Sequence, residues 1–337
     1  MSERNQSELY PLLFEPVLKQ YIWGGRNLER LLGRILPDGN VAESWEIAAH
    51  EDGSSTIING RYAGLSLMDV FDFLGVDLIG RRNAWAFERH KFPLLVKLLD
   101  AHDKLSVQVH PNDEYALANE GNELGKTEMW VILHAEPLAE IVLGVRQGTN
   151  ASLFREAIID GTLERYLHRI PVSSGDFVCV PSGTIHAILG GILIAEIQQN
   201  SNTTYRIFDW NRVQDGKPRP LHIDKALGVS NFAMIEPVLQ SAEIIGWNGG
   251  IHRCILCRNQ YFITERIEFD PGAKFTGNLS GETLEIWGII KGQACINDID
   301  LKAVQFSLLP AAMGPYHISS ITGATCLRTY VSDQLMT

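Results

Sequence analysis

The 337-residue chain is poor in cysteine, has no surplus of basic charge, and holds no long apolar run. Its five cysteines (Cys179, Cys254, Cys257, Cys295 and Cys326) are an odd number, scattered through apolar surroundings. Such usage argues against a disulfide framework and for reduced, buried thiols in a cytoplasmic protein. Cys254 and Cys257 are spaced as C-x-x-C, but no second pair completes a zinc site, so they read as core or incidental residues. The net charge of −11 and pI near 5.4 lack the basic footprint of a nucleic-acid binder. Any anionic ligand must be held by a local cluster of cations against that field. No stretch approaches the length of a membrane span. The polar start, Met1 to Glu8, lacks the apolar core of a signal peptide. Gly190-Gly191 lacks the spacing of a nucleotide-binding loop, and no nucleotidyltransferase signature is present. With 45% hydrophobic and 20% charged residues, the chain can bury a large core in one to three domains without extensive disorder.

What the sequence does have is a succession of short strand-like segments. Ser54 to Ile58, Leu94 to Leu99, Leu105 to Val109, Met129 to Ala135, Glu140 to Gly144, Asp176 to Val180 and Gly191 to Gln198 are punctuated by glycine and proline. Helical spacing appears at Leu67 to Leu74, at Asn112 to Asn119, and at Asn150 to Leu167 with Gly161 as a break. A turn at Asn248-Gly249-Gly250 and the polar stretch before it suggest a boundary near residue 240. A second β series then follows at 261–269, 283–291, 294–299, 306–310 and 325–331. The expected fold is mainly β, an all-β barrel or sandwich in each part with a few short helices, divided as residues 1–240 and 241–337. Phe177-Val178-Cys179-Val180-Pro181 before His186 is echoed by Phe306-Ser307-Leu308-Leu309-Pro310 before His317. The spacing after proline differs, so the echo is read as shared architecture, with a catalytically silent second barrel that binds no metal.

Three segments concentrate the chemistry. In Ser106-Val107-Gln108-Val109-His110-Pro111, alternation sends Gln108 and His110 to one side of a strand. Lys126-Thr127-Glu128-Met129-Trp130 places a carboxylate among apolar residues, and Pro181-Ser182-Gly183-Thr184-Ile185-His186 presents a second imidazole after a turn. Taken singly, each residue has a blander reading: a hydrogen-bonded histidine, an outward-facing glutamine. Together, Gln108, His110, Glu128 and His186 make a nitrogen/oxygen donor set without thiolate. That is the character of a catalytic metal site with an open position, and not of a closed structural one.

These segments resemble the signature of type I mannose-6-phosphate isomerases, a zinc-dependent cupin family, and the likeness implies two cupin-like jelly-roll barrels with a few short helices. The likeness extends to Tyr21-Ile22-Trp23-Gly24-Gly25, Ala42-Glu43-Ser44-Trp45-Glu46, Phe92-Pro93-Leu94-Leu95-Val96-Lys97, and the run from Glu196 to Arg206, covering residues 10 to 235 and, more weakly, the remainder. The resemblance implies that Gln108, His110, Glu128 and His186 bind one Zn²⁺. It also implies that Lys97, Ser106, Lys126, Glu196 and Arg206 line a pocket for a phosphorylated hexose. Arg206 suits phosphate with its forked guanidinium, Arg212 is a further candidate helper, and Trp23 is a candidate wall residue. Lys126, Glu196 and Arg206 are the expected catalytic groups, with the base left open between Lys126 and Glu196. No helical insertion is visible, so the chain looks like the short bacterial form. Gly125 stands where some relatives carry histidine. The implied reaction interconverts mannose 6-phosphate and fructose 6-phosphate. Alternatives are a metal-dependent isomerase acting on glucose 6-phosphate and a non-catalytic sugar-phosphate sensor. Neither nucleic acid nor membrane is expected as partner, and a monomer is expected.

Overall fold

The computed structural model describes residues 9–214 and 216–331; the polar stretch Met1 to Glu8 lies outside them. The protein is mainly β, with antiparallel sheets and short helices, as expected. It divides into two compact units. One comprises Leu18–Trp45 and Leu94–Gln240; the other comprises Met1–Val17, Glu46–Pro93 and Ser241–Thr337. The C-terminal segment from Ser241 is thus completed by two segments from the first hundred residues, where contiguous halves were expected.

The unit centred on 94–240 carries two sheets. One has the strand order Phe177–Val180, Glu128–Ala135, Ile192–Gln199, Leu94–Ala101, Glu43–Ile47, Val17–Lys19; the other runs Leu167–Pro171, Glu140–Val145, His186–Ile188, Val107–Val109, Tyr205–Phe208. Leu94–Ala101 and Ile192–Gln199 are buried along their whole length and pair antiparallel, with Glu196 opposite Lys97. Alternation explains what they bury. Leu99, Ala101, Trp130, Ile132, Ile192 and Ile194 share one apolar cluster with Ile141, Leu143 and Ile188 of the second sheet. Two-residue steps from that floor bring Lys97, Glu128 and Glu196 to the same inner face. In the second sheet Val107, Val109, Ala187, Tyr205 and Ile207 pack outward with Phe154, Ala157 and Ala226. Gln108, His186 and Arg206 are therefore turned inward. The barrel interior is apolar at one end and densely ionisable at the other.

Short helices close this unit. Asp113–Asn119 and Ala151–Ile159 begin at Asn112 and Asn150, whose side chains accept the N3 backbone N–H. The second stops where Gly161 takes φ 69°, and a short 3₁₀ turn, Leu163–Tyr166, follows.

The other unit holds an 11-stranded sheet. The two segments expected at 283–291 and 294–299 fuse into one long strand, Glu285–Ile296. Lys274–Leu279 and Gly314–Ser319, which the sequence pattern does not mark, add to it; their exposed polar positions and internal Gly277 and Pro315 weaken the signal. The helix Leu67–Leu74 starts with a reciprocal capping box between Ser66 and Asp69. Trp287, Ile289, Tyr316 and Ile318 fill the core, so alternation turns His317 away from it. Glu285 is buried in the same unit, accepts hydrogen bonds from Trp287 Nε1 (2.8 Å) and Tyr316 Oη (2.6 Å), and is neutralised by Arg328. Cys254, Cys295 and Cys326 keep free thiols; the expectation of a reduced thiol does not hold for Cys179 or for Cys257.

Candidate active site

The polar end of the first barrel opens into a cavity of about 260 Å³ lined by Trp23, Glu43, Lys97, Ser106, Gln108, Lys126, Glu128, Glu196, Arg206 and Arg219, among others. Backbone contacts stitch together the three segments that build it. Gly183 N donates to the His110 carbonyl (2.8 Å), and Lys126 N to the Pro111 carbonyl (3.0 Å). Thr127 N reaches the Gln199 side chain (2.9 Å), and Ser182 N reaches Thr127 Oγ1 (3.2 Å). Pro181 to Thr184 closes as a β-turn, Thr184 N to Pro181 O (3.1 Å), with Gly183 supplying φ 84°. Gly125 is required by close approach: a Cβ there would sit 2.5 Å from the Asp113 nitrogen. A histidine at this position is therefore excluded in this chain unless the backbone shifts.

The expected ligands converge. Nε2 of His110 lies 3.4 Å from Glu128 Oε2, and Nε2 of His186 lies 3.4 Å from Glu128 Oε1; all three residues are buried. Their donor atoms fall within 4.8 Å of one another, a group that could hold a metal ion. Each imidazole gives its Nδ1 proton to a backbone carbonyl, His110 to Thr203 and His186 to Thr184, both at 2.9 Å. That fixes the tautomer and aims both Nε2 lone pairs inward, the arrangement of metal-ligating histidines. Among the described residues, His110 Nε2 and Glu128 Oε2 are buried without a hydrogen-bond partner. Orphaned acceptors at the focus of three converging donors fit a cation there.

Gln108 stands beside them, its Nε2 3.3 Å from His186 Nε2. Amide oxygen and nitrogen exchange by a half-turn, which would present Oε1 to the same point; Ser106 Oγ, 3.3 Å from the other amide atom, can donate or accept. Burial, then the charge of Lys126, pushes the His110 pKa down to about 3, so at neutral pH its lone pair is open to a metal. Burial opposes ionisation of Glu128, but Lys126 and the histidines hold it well below the usual carboxylate range.

A second group of charges faces the ligands. Lys126 Nζ lies 3.3 Å from Glu128 Oε2. Burial pulls the Lys126 pKa down, yet Glu128, Glu196 and Glu43 outweigh it and hold the ammonium above its usual value. Lys97 is buried between Glu43 (3.5 Å) and Glu196 (3.8 Å) and over the Trp45 ring (4.8 Å). Trp45 thus packs behind the lysine, while Trp23 faces the cavity and stacks on Tyr21. Glu196 Oε1 has no hydrogen-bond partner. Burial, then the neighbouring carboxylate of Glu128, raises the Glu196 pKa to about 7 against the pull of Lys126 and Lys97.

Arg206 reaches the wall from strand Tyr205–Phe208, in register with Gln108. Arg212, the other expected helper, has its guanidinium tied to Asp209 (2.6 Å) and Asp103 (3.3 Å) and is not among the residues that line the cavity. The second guanidinium in the wall is Arg219. Sequence reasoning passes over it, and gives no role to Glu43. Their one signal is a charge in an unusual setting, Arg219 between two prolines and Glu43 two residues before Trp45 on a strand.

Comparison with known proteins follows the same lines. Residues 12–135 match the model of the phosphomannose isomerase type I catalytic domain. A protein described as probable mannose-6-phosphate isomerase GmuF of Bacillus subtilis (strain 168) is 38% identical over 92% of this chain and 96% of its own. The mannose-6-phosphate isomerase ManA of the same organism is 45% identical over 65% of this chain and 67% of its own. The crystal structure of a mannose 6-phosphate isomerase from Bacillus subtilis superposes with a TM-score of 0.84 at 33% identity, covering 96% of this chain and 99% of that one. A mannose 6-phosphate isomerase crystallised with zinc and yttrium shares the fold at a TM-score of 0.73 and 18% identity, over 96% of this chain and 99% of its own.

Proposed function

Because the chain belongs to the type I phosphomannose isomerase family and is an enzyme of that kind, we propose that its pocket interconverts D-mannose 6-phosphate and D-fructose 6-phosphate with one Zn²⁺ per chain. The observation that carries this reading is the inward-facing pair of imidazoles, each fixed through Nδ1, against Glu128, whose Oε2 has no hydrogen-bond partner among the described residues. Gln108, His110, Glu128 and His186 would hold the metal, which supplies Lewis-acid stabilisation of negative charge developing on sugar oxygen. Zinc suits a set of imidazole, carboxylate and amide donors with one position open; the zinc-containing relative is consistent with that choice.

The chain's own groups perform the rest. Isomerisation removes a proton from C2 of the open-chain aldose, returns one to C1, and moves the hydroxyl proton from O2 to O1. Glu196, with a pKa near 7, can take and give a proton at working pH, which is what a reversible proton transfer needs. Lys126 is held as an ammonium by three carboxylates, so it serves as a fixed positive charge and proton donor near the enediolate oxygens. Lys97, pinned by Glu43 and Glu196, fixes the orientation of Glu196. Trp23 walls the sugar, and Ser106 orients Gln108. Arg206 anchors the phosphate.

A coupled assay on mannose 6-phosphate, with glucose 6-phosphate as competitor substrate and with and without chelator, tests the whole reading. Turnover of mannose 6-phosphate that is abolished by chelator and restored by zinc is expected; none on any hexose phosphate would end it. Two variants sharpen the assignment. Arg206→Ala should raise KM strongly with zinc still bound, costing about 1.5–3 kcal/mol, or roughly 10- to 100-fold in kcat/KM. Arg206→Lys should recover only part, since an ammonium lacks the fork. His317→Ala should leave turnover and metal content nearly unchanged, because that side chain is turned away from the core of its unit. A large loss of turnover at unchanged stability would show that the second barrel takes part.

A further inference from the structure

We propose that Arg219 is a second phosphate-binding guanidinium of the cavity, held beside Arg206 by Asp209. The proposal rests on the reading of the cavity as a sugar-phosphate site. It starts from an imbalance of charge. Arg206 and Arg219 both line the cavity, and among the described residues Arg206 has no carboxylate partner. Its Nη1 donates to the Pro220 carbonyl (2.9 Å), and its Nε is buried with no hydrogen-bond partner. Burial, then the like charge of Arg219, lowers the Arg206 pKa, so the two guanidiniums repel across the wall. Asp209 accepts from Arg219 Nε (2.8 Å) and Nη2 (2.5 Å) and from Arg212 Nη2 (2.6 Å). Asp103 takes the other side of Arg212 at 3.3 Å. Arg212 and Arg219 thus take up the two carboxylates, and Arg206 is left as the uncompensated charge at the cavity wall. In a chain of net charge −11, a cationic surplus confined to one wall is a recognition device for an anion.

The backbone prepares this wall. Arg219 lies between Pro218 and Pro220, so its own conformation is restricted to the extended region and little order remains to be acquired on binding. Pro220 holds Arg206 through its carbonyl. His222 clamps the Arg206 backbone on both sides, accepting from Arg206 N at Nδ1 (3.1 Å) and donating its own N–H to Arg206 O (2.7 Å). Asp209 occupies Nε and Nη2 of Arg219, leaving Nη1 without a hydrogen bond among the described residues. A dianionic phosphoryl group between Arg206 Nε and Arg219 Nη1 would satisfy both donors and remove the repulsion. Asp209 is then a positioning residue, and Arg212 braces it.

Steady-state kinetics of the zinc-loaded enzyme decide the matter, with inorganic phosphate as competitive inhibitor. Arg219→Gln should raise both KM for mannose 6-phosphate and the inhibition constant of inorganic phosphate by roughly tenfold or more, the scale of one charge-assisted hydrogen bond. Arg219→Lys should fall between, with metal content and melting temperature unchanged in both. Asp209→Asn should raise the same two constants by less. An inhibition constant for phosphate unchanged in Arg219→Gln overturns the proposal, even if KM rises, because Arg219 would then only shape the wall. If the glutamine variant does not fold, Arg219→Lys decides, and wild-type values of both constants overturn the proposal. Should the wild-type enzyme fail to turn over mannose 6-phosphate, calorimetric titration of wild type and Arg219→Gln with inorganic phosphate still reads the contribution of Arg219, separately from the reaction assigned to the pocket.

Discussion

His110→Ala is expected to lose metal and turnover together. The imidazole is buried and its Nε2 has no hydrogen-bond partner among the described residues; its removal leaves His186 as the single nitrogen donor beside oxygen donors. Loss of groups that merely orient a ligand already costs roughly 10- to 100-fold in metal affinity or activity, so loss of a ligand should exceed about 100-fold in both. Chelation of the wild type should reproduce the kinetic effect, and added zinc should rescue the chelated wild type but not the variant. Metal analysis after gel filtration checks the cause. A variant that keeps one equivalent of zinc and most of its turnover would show that the metal is held elsewhere. The secondary structure, followed by far-ultraviolet circular dichroism, should change little, because the segments around His110 remain joined through backbone hydrogen bonds that the substitution does not touch.

Glu196→Gln is expected to separate chemistry from metal binding. The amide keeps the shape of the side chain but cannot take a proton, so kcat should fall by roughly 10²- to 10⁴-fold with zinc retained. The pH dependence follows from the raised pKa. A carboxyl group that must be ionised to act as base, with its pKa raised to about 7, loses activity as pH falls through that value. A bound dication neutralises Glu128, removes part of the repulsion that raises Glu196, and moves the midpoint downward. The acid limb of kcat/KM should therefore lie at or below about 7. The residual activity of Glu196→Gln should lack that limb. A variant with wild-type kcat would transfer the base to another group. Lys126→Met then becomes the decisive comparison, since Lys126 is the other ionisable residue against the ligands.

The proposed ligand set is legible in the sequence because each member sits on a short motif with its own local logic: an alternating strand, a charge in an apolar run, a turn before a histidine. The register that joins them, with His186 opposite Gln108 and Gln198 opposite Glu128, is a consequence of those same alternations. Arg212 and Arg219 are the opposite case. Both are arginines in a polar loop, and nothing in the local pattern says which one faces the cavity. Asp209 binds both, Arg212 through Nη2 and Arg219 through Nε and Nη2, and of the two only Arg219 lines the cavity. The partition of the chain is likewise hidden. Strand Leu12–Glu15 pairs with Phe306–Leu309, Leu12 opposite Leu308, and periodicity carries no information about a partner at the far end of the chain. Among the helices, Leu67–Leu74 begins and ends where its spacing predicts, while Ile223–Val229 goes unmarked.

Three glutamates in this protein accept a hydrogen bond from the indole of the tryptophan two residues on: Glu43 from Trp45, Glu128 from Trp130, and Glu285 from Trp287. The first two face Lys97 and Lys126, and the third is closed by Arg328. Two of these charge balances are completed by the chain as it leaves the ribosome, at Glu43 and Glu285. At Glu128 the lysine meets Oε2, and Nε2 of the neighbouring His110 has no hydrogen-bond partner among the described residues. Polypeptide made under metal starvation should accordingly persist as a folded reserve, finished in every respect but one, and become competent within moments of zinc returning, with no new synthesis.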